Sequence, residues 1–365
     1  MIAIETRVDL SDDPPLSHQA CDLPEDAPPV LVVVVDTEEE FDWSAPFDRT
    51  GTAVSHMAAI HRVQDVFDEL SVVPSYLVSY AIVAQEAGFR PLVPYVAAGR
   101  AVIGAHLNPW ATPPHREQIN AVNSYPGNLA RDLEAAKLAV LCREVERALG
   151  VRPTVYKAGR YGTGPNTAAI LEEQGFEIDI SPAPPMDLRA DGGPDFTRHP
   201  AQPFLFGQKR RLLCLPNTGA FVGWLQAFGP DLHPLMEHGS VARLRLPAIA
   251  SRLRLLERLR LTPEGYTLAE MKRLTRALLA RGQRTFVLSL HSPSVVPGNT
   301  PYVQSDADLP VLLQRLRGYL TFFRDELHGR FVTPHALKAE LERLATEQRP
   351  ELARSEPSAG LSPRS

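Results

Sequence analysis

The sequence predicts an α/β fold in which a mainly parallel sheet curls into a closed or nearly closed barrel. Three observations lead to this prediction. Six consecutive apolar residues at 30–35 are typical of a strand buried on both faces. Strand-like segments then alternate with helical ones, which indicates parallel pairing. Polar clusters follow the ends of several strands, where parallel α/β folds place their sites.

Strands and helices alternate from the first buried segment onward. Apolar, β-branched stretches predict strands at Val30–Val35, Val72–Tyr80, Ala101–Leu107, Thr154–Gly159, Phe176–Pro182, Leu212–Thr218 and Thr285–His291. Apolar residues at helical spacing predict helices at Thr52–Leu70, Leu92–Gly99, Asn128–Leu149, Asn166–Gln174 and Leu309–Leu327. The fourth helix is followed by Gly175, a typical C-cap residue. No linker or internal repeat interrupts this order, so we expect one domain.

The predicted domain spans residues 29–345. Residues 1–28 are rich in Asp, Glu and Pro and predict a flexible lead-in, and residues 346–365 predict a disordered tail. Residues 223–283 predict a helical, arginine-rich insertion. Its arginines are Arg243, Arg245, Arg252, Arg254, Arg258 and Arg260. They either face solvent on helices packed against the barrel or form a basic surface for a phosphorylated, nucleotide-linked or lipid-linked sugar.

Composition excludes several classes of protein. The net charge of -5 argues against a nucleic-acid-binding protein, which is usually basic. No apolar stretch approaches the roughly 20 residues that cross a bilayer, and the amino terminus does not resemble a signal peptide. The three cysteines are widely spaced, so neither a disulfide framework nor a thiolate zinc site is indicated. These features predict a cytoplasmic protein.

Two carboxylates follow the first strand directly. Asp36 and Glu38 are two residues apart, so in an extended chain they project to the same side. One could bind a cation while the other acts as a base. The alternative is a solvated acidic loop, because Glu39, Glu40 and Asp42 continue the run.

Two histidines close later strands. His106 ends the strand at 101–107, where an imidazole suits a zinc ligand, a general acid or base, or a structural role. Asn108 lies two residues on, and Trp110 is predicted to wall the pocket or stack on a sugar. His291 ends the last long strand and is a candidate general acid. The neighbouring Ser292 is disfavoured as a nucleophile because the chain has no GxSxG elbow there.

Arg160 and Tyr161 follow the fourth strand in a glycine-rich loop. The arginine is predicted to pair with a carboxylate base and keep it ionised. The alternative, a phosphate-cradling loop, lacks the ending of a P-loop and the spacing of a dinucleotide fingerprint.

Taken in order, these clusters resemble the polysaccharide deacetylases, which share the NodB homology domain and are similar to carbohydrate esterase family 4. The segments concerned are VVVVDTEEEFDW, IGAHLNPWATPP, NSYPGNLARDLEAAK, YKAGRYGTGPNT, DISPAP and FVLSLHSPSVVPGNTPYV, and the likeness is greatest to the WalW-like branch. The resemblance implies a distorted (β/α) barrel. It also implies that a divalent ion, usually zinc, assists the removal of an N-acetyl group from an amino sugar, here in surface-glycan metabolism.

The resemblance also assigns roles. It implies Asp36 as the base, Glu38, His106 and Asn108 as the residues of the metal site, Arg160 as the arginine that orients the base, and His291 as the general acid. Trp43, Trp110 and Tyr161 are the predicted substrate contacts.

The chain departs from the family pattern at the metal ligands. Trp110 stands where the family often has a second histidine, and Asn108 stands where the WalW-like pattern has one. Glu38 replaces an aspartate, and His115 is a candidate substitute ligand. Two alternatives therefore stay open: a hydrolase of another linear amide, and a non-catalytic carbohydrate-binding or regulatory relic with a degraded metal site.

Overall fold

The apolar run at 30–35 forms the first strand of the sheet, β1 (Val30–Thr37), and all eight of its residues are buried. The computed structural model describes residues 20–42, 45–207, 212–237 and 253–355. Alternate residues of β1 enter two apolar clusters. Leu31, Val33 and Val35 pack toward the surrounding helices. Val30, Val32 and Val34 face the other side of the sheet, so Asp36 continues this second face.

The other described strands are β2 (Ser75–Val78), β3 (Val102–Leu107), β4 (Val155–Ala158), β5 (Ile178–Asp179), β6 (Phe204–Phe206), β7 (Leu212–Cys214), β8 (Gly219–Val222), β9 (Glu257–Arg260), β10 (Thr285–His291) and β11 (Arg330–Phe331). All of them except β8 and β9 join β1 in a curled, mainly parallel sheet with the order β10-β1-β2-β3-β4-β5-β7-β6. In this sheet β6 pairs antiparallel with β7, and β11 pairs with β1. Strands β8 and β9 form a separate antiparallel pair. The predicted fold class is confirmed.

Helices flank this sheet. They are α1 (His61–Glu69), α2 (Tyr80–Ala84), α3 (Glu86–Phe89), α4 (Val93–Ala97), α5 (Arg131–Leu149), α6 (Thr167–Glu173), α7 (Gly229–Glu237), α8 (Leu268–Leu279), α9 (Asp308–Thr321) and α10 (Pro334–Ser355). Helix α8 begins with a capping box between Thr267 and Glu270. Leu337 and Leu341 of α10 join the second apolar cluster and cover that face of the sheet. No helix in the described ranges is long and apolar enough to span a membrane.

The ends of the chain differ from the prediction where the structure describes them. Residues 20–28 belong to the predicted flexible lead-in, yet Leu23 is buried and Asp22 accepts hydrogen bonds from the start of β10. Helix α10 continues to Ser355, beyond the predicted start of the tail at 346. Residues 1–19 and 356–365 lie outside the described residues.

The arginine-rich insertion is not wholly helical. Residues 257–260 form β9. Leu259 is buried and its charged neighbours are less buried, an alternation of burial that has the two-residue period of a strand. Arg258 and Arg260 therefore lie on a strand, and the helical prediction was wrong for them. Arg243, Arg245 and Arg252 lie outside the described residues.

Candidate active site

The carboxyl ends of four strands bring the predicted site residues to one cavity of about 200 Å³. Asp36 of β1 is in register with His291 of β10, and His106 of β3 is in register with Lys157 of β4. The cavity lining also includes Glu38, Asn108, Trp110, Arg160 and Tyr161. Trp43 lies outside the described residues. The structure thus gathers residues that are up to 255 positions apart in the sequence, from 36 to 291.

Asp36 is held by a buried lysine. Lys157 Nζ donates to both carboxylate oxygens, at 2.8 and 2.6 Å, and to Asn217 Oδ1 at 3.1 Å. Burial alone would raise the pKa of Asp36, but the positive charges of Lys157 and of the nearby histidines lower it below its usual value. Asp36 is therefore ionised at neutral pH.

The prediction that Arg160 orients Asp36 was wrong, because Lys157 makes that contact. Arg160 has a left-handed backbone (φ 53°) beyond the end of β4, and its guanidinium donates instead to Ser124 Oγ and Asp191 Oδ2, both at 2.7 Å. The signal for Lys157 was present in the sequence. A lysine inside the otherwise uncharged strand VYKA must be buried, and a buried ammonium needs a carboxylate partner.

Glu38 and His106 meet on the same cavity floor. His106 Nε2 lies 3.1 Å from Glu38 Oε2, which also accepts a hydrogen bond from Asn108 Nδ2 at 2.9 Å. Burial opposes ionisation of Glu38, but His106, His291 and Asn108 together lower its pKa. Asn108 Nδ2 donates to Glu39 Oε1 as well, at 3.1 Å. Burial and the charge of Glu38 raise the pKa of Glu39 to about 6.

These residues do not fit a zinc centre. A catalytic zinc site usually has three protein ligands from His, Asp, Glu or Cys. Within the described ranges, no group of three or more such side chains is arranged to hold a metal ion. Asn108 turns its amide nitrogen to two carboxylates, so it does not supply the third ligand, and both oxygens of Asp36 are bonded to Lys157. His115, the candidate substitute, is exposed and does not line the cavity.

His291 is paired with a carboxylate that the sequence did not reveal. Its Nδ1 lies 2.7 Å from Glu264 Oε2, and its Nε2 lies 3.8 Å from Asp36 Oδ2. Burial lowers the pKa of His291, but the charges of Glu264, Glu38 and Asp36 outweigh it and raise the pKa to about 10. Ser294 Oγ donates to the other oxygen of Glu264. Glu264 precedes a glycine in a turn, where an acidic residue is usually solvated, so no signal marked it.

Ser292 belongs to a hydrogen-bonded series that resembles a catalytic triad. His56 Nε2 lies 2.8 Å from Ser292 Oγ, and His56 Nδ1 lies 3.2 Å from Glu40 Oε1. Ser292 is fully buried and does not line the cavity, so a substrate does not reach it. Its oxygen accepts the backbone N–H of Glu38 at 3.2 Å. The series therefore fixes the backbone of Glu38 and does not supply a nucleophile.

Aromatic side chains form the wall of the cavity. The ring of Trp110 lies 5.5 Å from that of Phe41 and 4.9 Å from that of Phe47. Tyr161 also lines the cavity, and its hydroxyl accepts a hydrogen bond from the half-buried Arg260. Burial raises the pKa of Tyr161, but Arg260, Lys157 and His291 outweigh burial and lower it. Trp110 and Tyr161 thus lie where a bound substrate would contact them.

Comparisons with solved structures identify the fold. A candidate polysaccharide deacetylase from Mycobacterium smegmatis superposes with a TM-score of 0.51 and 17% identity, over 95% of this chain and 99% of that chain. A candidate polysaccharide deacetylase from Pseudomonas aeruginosa PAO1 gives 0.50 and 15%, over 91% and 95%. The allantoinase Puue gives 0.50 and 15%, over 90% and 93%. No family model and no curated protein matches the chain.

The chain therefore has the fold of the polysaccharide deacetylases, and the distorted (β/α) barrel implied by the resemblance is confirmed. The WalW-like branch stays a prediction. At 15–17% identity the likeness shows the fold, so the chemistry has to be argued from the cavity itself.

Proposed function

We propose that this protein is a hydrolase of carbon–nitrogen amide bonds that removes an acetyl group from an N-acetylated sugar. The observation that carries the proposal is a pair of ion pairs in one cavity, Lys157–Asp36 and Glu264–His291, which favour opposite protonation states in Asp36 and His291. Lys157 keeps Asp36 ionised, whereas Glu264 keeps His291 protonated. Environments that drive the pKa values of two neighbouring groups apart are typical of an acid and a base in one active site.

Asp36 is the proposed general base and His291 the proposed general acid. Asp36 takes a proton from a water molecule, whose oxygen attacks the carbonyl carbon of the amide. The carbon–nitrogen bond then breaks as His291 Nε2 gives its proton to the leaving nitrogen, so acetate and a free amine are formed. Because Lys157 and protonated His291 are cationic, they also stabilise negative charge on the carbonyl oxygen.

The fold supports this proposal, since the solved structures that share it include candidate polysaccharide deacetylases. The aromatic wall supports a sugar as the substrate, because the faces of sugar rings stack on aromatic side chains. Zinc is implied by the resemblance alone. We derive no step through a metal ion, because no third ligand lies beside Glu38 and His106 among the residues that the structure describes.

The test is acetate release from a panel of N-acetylated mono- and oligosaccharides. We expect Asp36→Asn to lower kcat/KM by at least about a hundredfold, the usual contribution of a general base. The amide oxygen of asparagine can still accept from Lys157, so the variant should fold. Asp231→Asn, which changes an exposed partner of Arg198, is the matched control and should keep full activity.

Two results would contradict the proposal. One is an Asp36→Asn protein that retains wild-type activity. The other is a wild-type protein that releases acetate from no member of the panel. A parallel assay with a metal chelator tests whether acetate release depends on a bound metal ion. If it does not depend on a three-ligand metal site, the chelator should leave the rate of acetate release unchanged.

A non-catalytic carbohydrate-binding protein is the second candidate, and Asn108 is the observation that favours it. Its amide nitrogen donates to both Glu38 and Glu39, and within the described part of the chain Glu38 and His106 have no third metal ligand. Sugar binding without acetate release would support this candidate. A third candidate is the hydrolysis of another linear amide, which the release of an amine without acetate would reveal.

A further inference from the structure

The cavity has a charged floor and a largely apolar rim. Asp36, Glu38, His106 and Lys157 lie at the floor and are buried. The rim includes the partly exposed apolar side chains of Phe41, Phe47, Met186 and Leu188, and the buried rings of Tyr125 and Trp110 lie beside them. A substrate therefore has to pass the rim before its amide reaches Asp36.

Arg160 closes one part of this rim. Its guanidinium carbon lies 4.2 Å from the centre of the Tyr125 ring and 5.1 Å from the centre of the Phe47 ring. Tyr125 precedes α5, whereas Phe47 follows β1, so the guanidinium joins two loops that are far apart in the sequence. Ion pairing with Asp191 and a hydrogen bond to Ser124 hold it in this position.

The contacts continue along the rim without a break. Phe47, which meets Arg160 on one side, lies 4.9 Å from Trp110 and 5.2 Å from Phe41 on the other. We call the series Tyr125, Arg160, Phe47 and Trp110 the rim arc. Each member is in contact with the next, so an extended chain of sugars has no open groove through this side.

The size of the cavity agrees with a small ligand. Its volume of about 200 Å³ lies below the roughly 300–1,000 Å³ of pockets that enclose drug-sized ligands. Phe41 also lines a wider surface depression beside residues 298–304, and its ring separates that depression from the cavity. Among the described residues, the rim above the floor is thus mostly apolar and aromatic.

We propose that the rim arc restricts this site to a free N-acylated monosaccharide, and that Arg160 and Phe47 determine this specificity. The proposal rests on the proposed function, because it names the substrate class of the same site. A unit linked to further sugars would have to extend past the Phe47–Arg160 contact in order to place its amide at Asp36. Arg160 then serves to select the substrate and does not act on the base.

Binding separates this proposal from the chemistry. The probes are N-acetylglucosamine and its β-1,4-linked trimer, titrated by calorimetry into the Asp36→Asn protein so that turnover does not interfere. We expect the monomer to bind at least tenfold more tightly than the trimer. Adding Arg160→Ala or Phe47→Ala should reduce this ratio at least tenfold, because each substitution opens the arc.

Arg198→Ala is the matched control, since Arg198 is an exposed arginine that pairs with Asp231 outside the cavity lining. It should leave the ratio unchanged. Two rim variants are used so that the test still holds if one of them misfolds. Circular dichroism shows whether each variant is folded. Three results would each overturn the proposal. They are equal binding of monomer and trimer, a binding ratio that both rim variants leave unchanged, and no binding of either sugar. Monomer-selective binding without acetate release in the wild-type protein would support it and refute the proposed hydrolase instead.

Discussion

At the scale of single residues, two ion pairs determine the charge state of the cavity floor. Lys157 neutralises Asp36, and Glu264 neutralises His291, so four buried charges are satisfied in pairs. Neither partner was predicted from the sequence. Lys157 and Asp36 are 121 positions apart, and spacing along the chain carries no information about such a pair. The site residues that were predicted could be found locally, because each of them is a polar residue at or just after the end of a buried strand.

The Glu264–His291 pair predicts how stability depends on pH. A histidine whose pKa is about 10 in the folded protein and near 6.5 in the unfolded one stabilises the fold fully below about pH 6.5. This contribution is lost as the pH rises toward 10. Glu264→Gln removes the charge that raises the pKa of His291. We therefore expect the difference in unfolding free energy between wild type and variant to shrink between pH 7 and 10.

Urea unfolding at pH 7, 8, 9 and 10 measures this difference. Glu326→Gln is the control, because Glu326 is an exposed partner of Lys272 and Arg276 whose change should give a constant difference across the range. A Glu264→Gln difference that is equally constant would show that the carboxylate does not act through the protonation of His291.

At the scale of elements, the sequence predicted the strands that carry the site and missed several that do not. Strand β10 was predicted at 285–291 and found there, because a buried parallel strand is a continuous apolar run. Strands β6, β8 and β9 were missed, since each has only three or four residues and little pattern to detect. The metal site was expected from resemblance, and the three-dimensional contacts of Asn108 show why the residues do not form one.

One helix fixes the loop that follows β3. Lys137 of α5 is fully buried, and its ammonium donates to the backbone oxygens of Pro109 and Thr112 and to Glu117 Oε1. The loop between them carries Trp110, a member of the rim arc. Lys137 therefore links the helix to the position of the aromatic wall.

Lys137→Met should loosen this loop. The substitution leaves two buried carbonyl groups and Glu117 without their cation, so we expect a loss of about 3 kcal/mol in unfolding free energy. Sugar binding should weaken as well, because Trp110 is no longer fixed. Urea unfolding and calorimetry measure the two effects. Lys272→Met, at a surface ion pair, is the control and should change the unfolding free energy by less than about 0.5 kcal/mol. A similarly small effect of Lys137→Met would contradict the role of Lys137 in anchoring the loop.

At the scale of the whole molecule, the sheet is open between its two edge strands, β10 and β6, and the first described residues of the chain bridge them. Ala20 pairs with Phe204 of β6, and Cys21 N–H donates to Pro203 O. Asp22 then accepts from Arg284 N–H and Thr285 Oγ at the start of β10, at 2.9 and 2.6 Å. The residues predicted to be a flexible lead-in thus join the edges of the barrel.

This bridge should stabilise the fold without affecting the chemistry. Asp22 binds the first residue of β10, and His291 ends that strand about 20 Å away at roughly 3.3 Å per residue. Asp22→Ala removes the two hydrogen bonds from the start of β10 and a third from Leu23 N–H, so we expect a loss of about 2 kcal/mol in unfolding free energy. Activity at a temperature where the variant stays folded should be unchanged.

Asp26→Ala, at an exposed position of the same segment, is the control and should alter neither property. If Asp22→Ala were as stable as this control, the edges of the sheet would have to be held together by other contacts, such as the bond from Gln283 Nε2 to Ala201 O.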